Sequence, residues 1–151
     1  MKADCPLCAR LVAMGPLHRI AELERTVVFL NDQQGCRGWC VCVMKQHVEH
    51  MDDVPLDVQR EVFGEVARVA RAIRAVFPAS GAGGGPPRIN YECLGNVTAH
   101  VHWHVIPRHA GDPTPNATVW GWDAAVLKGN VSEEHRRELV ASIGGALTRD
   151  A

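Results

Sequence analysis

The strongest chemical signal in the sequence is a set of histidines at alternate positions, His100, His102 and His104. Alternate side chains of a β-strand share one face and lie roughly 6.5–7 Å apart, so the pattern predicts a strand over 100–106 with three imidazoles projecting together. The intervening apolar residues would pack on the opposite face: Val101, Trp103 and Val105. Three imidazoles on one face pack poorly, and such a local conflict indicates a functional site.

Two kinds of chemistry fit such a face. Histidines two apart on a strand can bind zinc, as in metal hydrolases. Alternatively, one imidazole can attack phosphorus while its neighbours hydrogen-bond the phosphate. The second use needs phosphate-binding groups nearby, and the segment before the triplet offers backbone amides and short polar side chains: Gly95, Asn96, Val97 and Thr98.

A second candidate site is the pair Cys5 and Cys8, whose spacing lets both thiolates reach one zinc ion. The pair supplies half of a site, and the residue types leave three candidates to complete it: His47, His50 and His100. A redox role is less favoured because no strand precedes the pair, and two free, partly buried thiols are the remaining alternative. The other cysteines have no ligand spacing and are expected to fill small apolar spaces: Cys36, Cys40, Cys42 and Cys93.

Several single residues are expected to have ordinary roles. Arg108 follows the histidine strand and could meet a polyphosphate, but a solvated arginine is the preferred interpretation. Trp120 and Trp122 are expected in core or dimer packing, with lining of a nucleobase or leaving-group pocket as the alternative. The remaining partnerless histidines are expected at the surface: His18, His50, His109 and His135.

The elements that must position these residues can be predicted from apolar patterning. Strands are predicted at 26–30, 39–44, 89–94 and 100–106, after an irregular lead-in around Cys5–Cys8. Apolar residues at helical spacing predict a long helix with Asp53 and Pro55 in its first turn and Pro78 at its end. The stripe consists of Val58, Val62, Val66, Val69, Ile73 and Val76. A last helix begins near Ser132, after a Pro- and Trp-containing stretch over 107–122.

Composition limits the class of protein. The 151 residues are 46% hydrophobic and 22% charged, which excludes wholesale disorder. The net charge of -1 argues against a globally basic nucleic-acid binder, and no apolar run approaches the ~20 residues that span a bilayer. We expect one domain over 1–151, with an N-terminal segment (1–24) and a C-terminal tail and helix (107–151).

The cysteine content bears on the compartment. No hydrophobic segment precedes Cys5, and the chain has six cysteines, so a cytoplasmic location is expected, where close cysteine pairs bind metal or react. No membrane association and no stable nucleic-acid partner are expected.

At these residues the chain resembles a known family. His100–Ile106 resembles the histidine triad motif, in which His-x-His-x-His is followed by apolar residues. Together with 89–96 and Pro107–His109, it resembles a bacterial branch whose members are often labelled diadenosine polyphosphate hydrolases. Weaker similarity extends upstream, and the resemblance covers most of residues 5 to 123. The upstream segments are Phe29–Asn31, Gly38 and Lys45–His47.

The resemblance implies an α+β fold: a five-stranded antiparallel sheet with two helices, pairing into a homodimer with one ten-stranded sheet. It implies a nucleotide hydrolase or transferase in which His102 attacks the α-phosphorus of an adenosine or guanosine nucleotide. Water then releases the mononucleotide from the nucleotidyl-histidine, and no metal is required. His104 would contact the α-phosphate, and His100 would orient the site. The substrate would be a dinucleoside polyphosphate or a nucleoside phosphoramidate.

The resemblance also implies which residues bind the nucleotide. Asn31 falls where members place an Asp or Asn against the ribose, with the adjacent Asp32 as an alternative. The glycine-containing segment would cradle phosphate, with Thr98 or a backbone amide replacing the polar residue that relatives often have at Val97. The full implied set is Asn31, Asp32, Asn90, Gly95, Asn96, Val97 and Thr98.

Zinc-containing members of that family use a Cys, Cys, His, His set. The resemblance therefore favours His47 and His100 as the partners of Cys5 and Cys8, in a structural zinc site that would orient the histidine strand. Two other hypotheses stay open. One is a nucleotide-binding module without turnover. The other is a zinc hydrolase using the triplet as ligands, which is less favoured because no carboxylate is evidently placed as general base.

Overall fold

The structure, a computed structural model, describes residues 1–13, 15 and 18–149. Five strands form the sheet and α-helices surround it. The strands are β1 (Arg19–Glu22), β2 (Thr26–Leu30), β3 (Cys40–Met44), β4 (Arg88–Glu92) and β5 (His102–Arg108). The helices are α1 (Pro6–Ala13), α2 (Leu56–Val76), α3 (Ala124–Lys128) and α4 (Glu133–Arg149).

The sheet is antiparallel throughout, with strand order β1-β2-β3-β5-β4. Two of its interior strands, β2 and β3, are buried at every position, as expected for five-residue apolar runs covered on both faces. The predicted α+β class and five-stranded antiparallel sheet are confirmed.

One face of the sheet packs on α2 and α4. The predicted apolar stripe of α2 lies on this face, and its buried members are Val62, Val66, Val69 and Ile73. Val66, Val69 and Ile73 pack there with Cys42 and Val105 of the sheet and with Ile143 of α4. Pro55 occupies the position just before α2 and Phe77 the position just after it, so the predicted helix ends are confirmed within two residues.

The opposite face carries α1 and the histidines. Two rows of side chains cross the sheet there, because the register pairs Phe29 with Val41, Val41 with His104, and His104 with Glu92. The neighbouring row runs from Val27 through Val43 to His102. Leu7 and Leu11 of α1 pack on the apolar end of these rows.

Three predictions about local structure were wrong. The segment around Cys5–Cys8 is not irregular, because α1 begins at Pro6, a residue that favours the first position of a helix. β5 begins at His102 rather than at residue 100, so His100 lies outside the strand. The patterns also missed β1, a four-residue strand without strong alternation, and α3.

The start of α4 agrees with the sequence. Ser132 Oγ accepts the backbone N–H of His135, which is an N-terminal cap, as predicted. In the part of the chain that the structure describes, no helix combines the length and the apolar character needed to cross a membrane.

Gln34 organises the turn between β2 and β3. Its buried side-chain amide donates to the carbonyls of Asn31 and Trp39, and its Oε1 accepts the backbone N–H of Gly38. Gly38 has φ 92°, and a Cβ there would lie 2.6 Å from Cε2 of Phe77. The turn therefore requires glycine for both backbone and steric reasons.

We expect Gly38→Ala to lower the free energy of unfolding by about 2 kcal/mol or more, because it adds a disfavoured φ and a clash. Urea unfolding followed by circular dichroism measures the change. Gly64→Ala is the matched control: it lies within α2 with nothing within 4 Å of the added Cβ, and should stabilise by about 0.5–1 kcal/mol. Equal effects of the two substitutions would contradict this account of Gly38.

Candidate functional site

The three histidines of the triplet do not project together. His100 is 1% exposed, and its ring contacts Met44, Cys5 and Cys8 rather than the cleft that the other two line. Its Nε2 lies 2.8 Å from the carbonyl oxygen of Met44. Because a carbonyl can only accept, Nε2 carries the proton and Nδ1 is left with its lone pair. That Nδ1 faces Cys5 Sγ at 3.4 Å and Cys8 Sγ at 3.6 Å.

His102 is also largely buried, but its ring has different neighbours from the ring of His100. Its Nδ1 lies 2.7 Å from the carbonyl oxygen of His100. The same argument applies: Nδ1 donates, so Nε2 of the neutral ring bears the lone pair. The ring lines a cleft on the α1 side of the sheet. In the neutral form of the ring, Nε2 is therefore the nitrogen with a lone pair, as a nucleophile requires.

His104 has the opposite tautomer. The indole Nε1–H of Trp39 is a donor only, and it lies 3.2 Å from His104 Nδ1, which must accept. Burial, with a smaller effect from His102, lowers the pKa of His104 to about 4, so the ring is neutral at pH 7 with its proton on Nε2. The rings of His102 and His104 are 5.1 Å apart. The pair thus offers one nucleophilic nitrogen and one N–H donor.

We call the cavity lined by His102 and His104 the histidine cleft. Its apolar walls are formed by one residue of α1 and by residues of β2 and β3: Leu7, Phe29, Val41 and Val43. Its polar lining, besides the imidazoles, consists of Arg10, Asn31 and Thr98. An apolar slot beside a few polar groups is the usual form of a small-molecule site.

The structure brings only some of the predicted nucleotide-binding residues to this cleft. Asn31 and Thr98 line it. The Asp32 carboxylate instead contacts Arg10 at 2.9 Å and His18 at 3.3 Å. Asn90 lies opposite Ile106 on β4 and lines a different depression, not this cleft. The loop before the triplet is exposed at Gly95, Asn96 and Val97.

A larger depression lies at the outer edge of the sheet. Its lining includes Arg74, Arg88, Tyr91 and His109 but none of the triplet histidines. The smaller histidine cleft is the better candidate site because it contains the groups with fixed tautomers and a lowered pKa.

The predicted metal ligands do come together. One ligand atom from each of Cys5, Cys8, His47 and His100 lies within 4.8 Å of the others. His47 Nδ1 is 3.4 Å from Cys8 Sγ, and the Glu49 carboxylate lies 3.6 Å from His47 Nε2. Tetrahedral zinc, with Zn–S of about 2.3 Å and Zn–N of about 2.0 Å, separates sulfur from nitrogen by roughly 3.5 Å. The sulfur–nitrogen distances here fit that separation.

The prediction of a solvated Arg108 was wrong. This arginine is 7% exposed and donates to Asp112 and to the carbonyls of Thr114 and Ala117. It also stacks on Trp122, which is buried in a small core cluster with Trp39. Arg108 therefore holds the loop that follows β5.

Trp120, in contrast, is partly exposed and packs edge-on against both Trp39 and His104. Its indole N–H donates to Glu92, the β4 neighbour of His104. Three of the four remaining cysteines are buried fillers as expected, whereas Cys93 is exposed.

Sequence reasoning missed four residues that shape the site: Leu7, Arg10, Gln34 and Trp39. Leu7 and Arg10 are three apart and so share a face of α1, but the segment was taken as irregular. Trp39 carries no periodic signal, since its contact with His104 joins residues 65 positions apart.

Comparison with known proteins identifies the family. The HIT domain matches residues 15–111. Protein hit of Bacillus subtilis is 27% identical over 143 residues, covering 92% of this chain and 97% of that protein. A solved histidine triad (HIT) protein from Sinorhizobium meliloti is 26% identical with a TM-score of 0.73, covering 93% of this chain and 95% of the other. A Zn-bound histidine triad family protein from Mycobacterium smegmatis shares the fold, with a TM-score of 0.65, 24% identity and coverage of 97% and 94%.

The tautomer and charge of His104 can be tested directly. We expect ¹H–¹⁵N spectra of ¹⁵N-histidine-labelled protein to show a neutral Nε2–H ring at pH 6 that gains a proton only near pH 4, because burial opposes the charge. His104→Gln assigns the signal. Between pH 6.5 and 4 the unfolded chain binds more protons here than the folded one, so this group lowers stability as the pH falls through that window. A charged His104 ring at pH 6 would contradict the assignment.

Proposed function

Because the chain belongs to the HIT family, whose members are typically nucleotide-binding hydrolases or transferases, we propose that it cleaves nucleotides at the α-phosphate through His102. The observation that carries the proposal is the tautomer of His102. Its Nδ1–H is held by the His100 carbonyl, which leaves a nucleophilic Nε2 at the histidine cleft.

The proposed reaction has two displacements. His102 Nε2 attacks the α-phosphorus, a phosphorus–nitrogen bond forms, and the bond to the leaving group breaks. Water then attacks the same phosphorus, the phosphorus–nitrogen bond breaks, and the mononucleotide leaves. His104, with its proton on Nε2, donates a hydrogen bond to a phosphate oxygen throughout. The protein contributes position and charge stabilisation, as is general in phosphoryl transfer.

The cleft supports an assignment of the nucleotide's parts. Asn31 lines the cleft while the Asp32 carboxylate is bonded to Arg10, so Asn31 is the better candidate for the ribose hydroxyls. Thr98, with the amides of Gly95–Val97, is proposed to bind phosphate. The base would occupy the apolar slot between Leu7 and Phe29. Dinucleoside polyphosphates and nucleoside phosphoramidates both present the required α-phosphate.

We further propose structural zinc at Cys5, Cys8, His47 and His100. The donor set, the distances and the Nδ1 lone pair of His100 support it, as does the hydrogen bond from its other nitrogen to Met44. Such an ion would link α1 to the start of β5, and catalysis would not require it. No step of the reaction passes through it.

A cytoplasmic location stays a prediction from the cysteine content. A homodimer with a ten-stranded sheet also stays a proposal. It is supported by β4, which is an edge strand, and by the exposed aromatic residues Phe63 and Tyr91, whose rings lie 6.2 Å apart.

Product formation from a substrate panel tests the proposed reaction. Diadenosine tetraphosphate, diadenosine triphosphate and an adenosine phosphoramidate, each also in the guanosine form, would be offered to wild type, His102→Ala and His135→Ala. Wild type should release mononucleotide, and His102→Ala should lose about three orders of magnitude or more, because it lacks the nucleophile. His135 is an exposed residue of α4, so its substitution controls for loss of an imidazole.

Turnover by a folded His102→Ala protein at the wild-type rate would contradict the assignment of His102 as the nucleophile. Tight nucleotide binding by wild type without product from any substrate would favour the binding module over the enzyme.

The zinc proposal has its own readout. We expect about one zinc per chain by elemental analysis under reducing conditions. Cys8→Ser should lose the metal and about 2.7 kcal/mol or more of unfolding free energy, the effect of a ligand at roughly 100 times its Kd. Cys93→Ser, at an exposed thiol, should keep both. Wild-type metal content in Cys8→Ser would contradict the site. Loss of turnover on chelation would favour the zinc hydrolase only if Cys8→Ser also keeps the metal, because loss of a structural ion at these ligands would disturb the cleft as well.

A further inference from the structure

The proposed reaction leaves one side chain of the histidine cleft without a role. Arg10 lines the cleft together with Leu7, one helical turn earlier on α1. Among the described residues of this lining, Arg10 is the one whose charge is permanent. Its side chain is 26% exposed, so it lies at the mouth of the cleft rather than in bulk solvent.

Two of the contacts of the Arg10 guanidinium place it relative to the cleft. Nη2 donates to Asp32 Oδ1 at 2.9 Å, and the guanidinium carbon lies 5.9 Å from the centre of the Phe29 ring. Phe29 itself forms part of the apolar wall. The guanidinium is therefore held beside the apolar slot. Asp32 is 61% exposed, so this ion pair contributes little energy and does not prevent the arginine from also contacting a ligand.

The position of a bound base follows from the proposed function, on which this inference rests. With the α-phosphate at His102 and the ribose at Asn31, the base extends toward the slot between Leu7 and Phe29. Its flat faces contact apolar side chains there, and its polar edge meets Arg10. The chemistry of that edge then decides which base is preferred.

A guanidinium presents N–H donors and no acceptor, whichever side faces the ligand. Guanine offers two adjacent acceptors, O6 and N7, which match the planar fork of an arginine. Adenine offers N7 but places its N6 amino donor where guanine has O6, so donor would face donor. We propose that Arg10 makes the histidine cleft selective for 6-oxopurine nucleotides, guanine above all, over adenine nucleotides.

Binding of mononucleotides tests the proposal without depending on the leaving group. Calorimetry with GMP, IMP and AMP would be carried out on the full chain of wild type, Arg10→Met and Arg10→Gln. GMP and IMP, which share O6 and N7, should bind wild type at least about fivefold more tightly than AMP. Arg10→Met should bind all three within about twofold. Arg10→Gln should favour AMP, because a glutamine amide pairs with adenine N6 and N7.

Arg137→Met is the matched control: it removes an exposed arginine that pairs with Glu133 on α4, and should keep the wild-type preference. Equal binding of AMP and GMP by wild type would overturn the inference. Equal weakening of all three nucleotides in Arg10→Met would also overturn it, because it would assign Arg10 to phosphate. Guanine preference without hydrolysis of any panel substrate would support this inference while overturning the catalytic proposal. No binding of any mononucleotide by a wild type that does release mononucleotide from the panel would overturn this inference alone.

Discussion

The hydrogen bond from His102 Nδ1 to the His100 carbonyl is the contact on which the rest of the site depends. A backbone carbonyl can only accept, so this one bond fixes both the tautomer and the orientation of the His102 ring, the proposed nucleophile. It also gives His100 two tasks. Its backbone carbonyl accepts the hydrogen bond from His102, while its side chain is hydrogen-bonded to the Met44 carbonyl and faces the two thiols. Any displacement of His100 would therefore alter both the thiol–imidazole cluster and the position of His102.

The same residue joins the site to the N-terminal helix. An isolated helix of eight residues is marginal in water, so α1 needs tertiary contacts to form. Leu7 and Leu11 bury apolar surface against the sheet at one side, and Cys5 and Cys8 hold the first turn beside His100 at the other. Since α1 forms one wall of the cleft, the thiol–imidazole cluster supports the shape of the cleft as well as the fold.

How much was predictable from sequence depended on whether the signal was local. Alternation correctly placed His102 and His104 on one face, and helical spacing found the buried stripe of α2. Alternation failed for His100, because contacts with Met44 and the cysteines, far away in sequence, turn its ring before the strand begins. Arg108 also looked solvated in sequence. Its burial depends on Asp112 and two carbonyls of a folded loop, and residue spacing in the sequence does not predict these contacts.

The register of the sheet places the apolar slot and Glu92 on opposite sides of His104. One row runs from Phe29 through Val41 and His104 to Glu92, so Phe29 lies at one end of the row and Glu92 at the other, with His104 between them. At the Glu92 side, Trp120 packs on His104, and the buried Arg108–Asp112 pair holds its loop. Removing either partner of such a pair leaves an uncompensated buried charge, so the loop resists rearrangement. In the proposed reaction, the leaving group would therefore meet this loop and the base would meet α1, while β5 would supply His102 and His104 for either substrate.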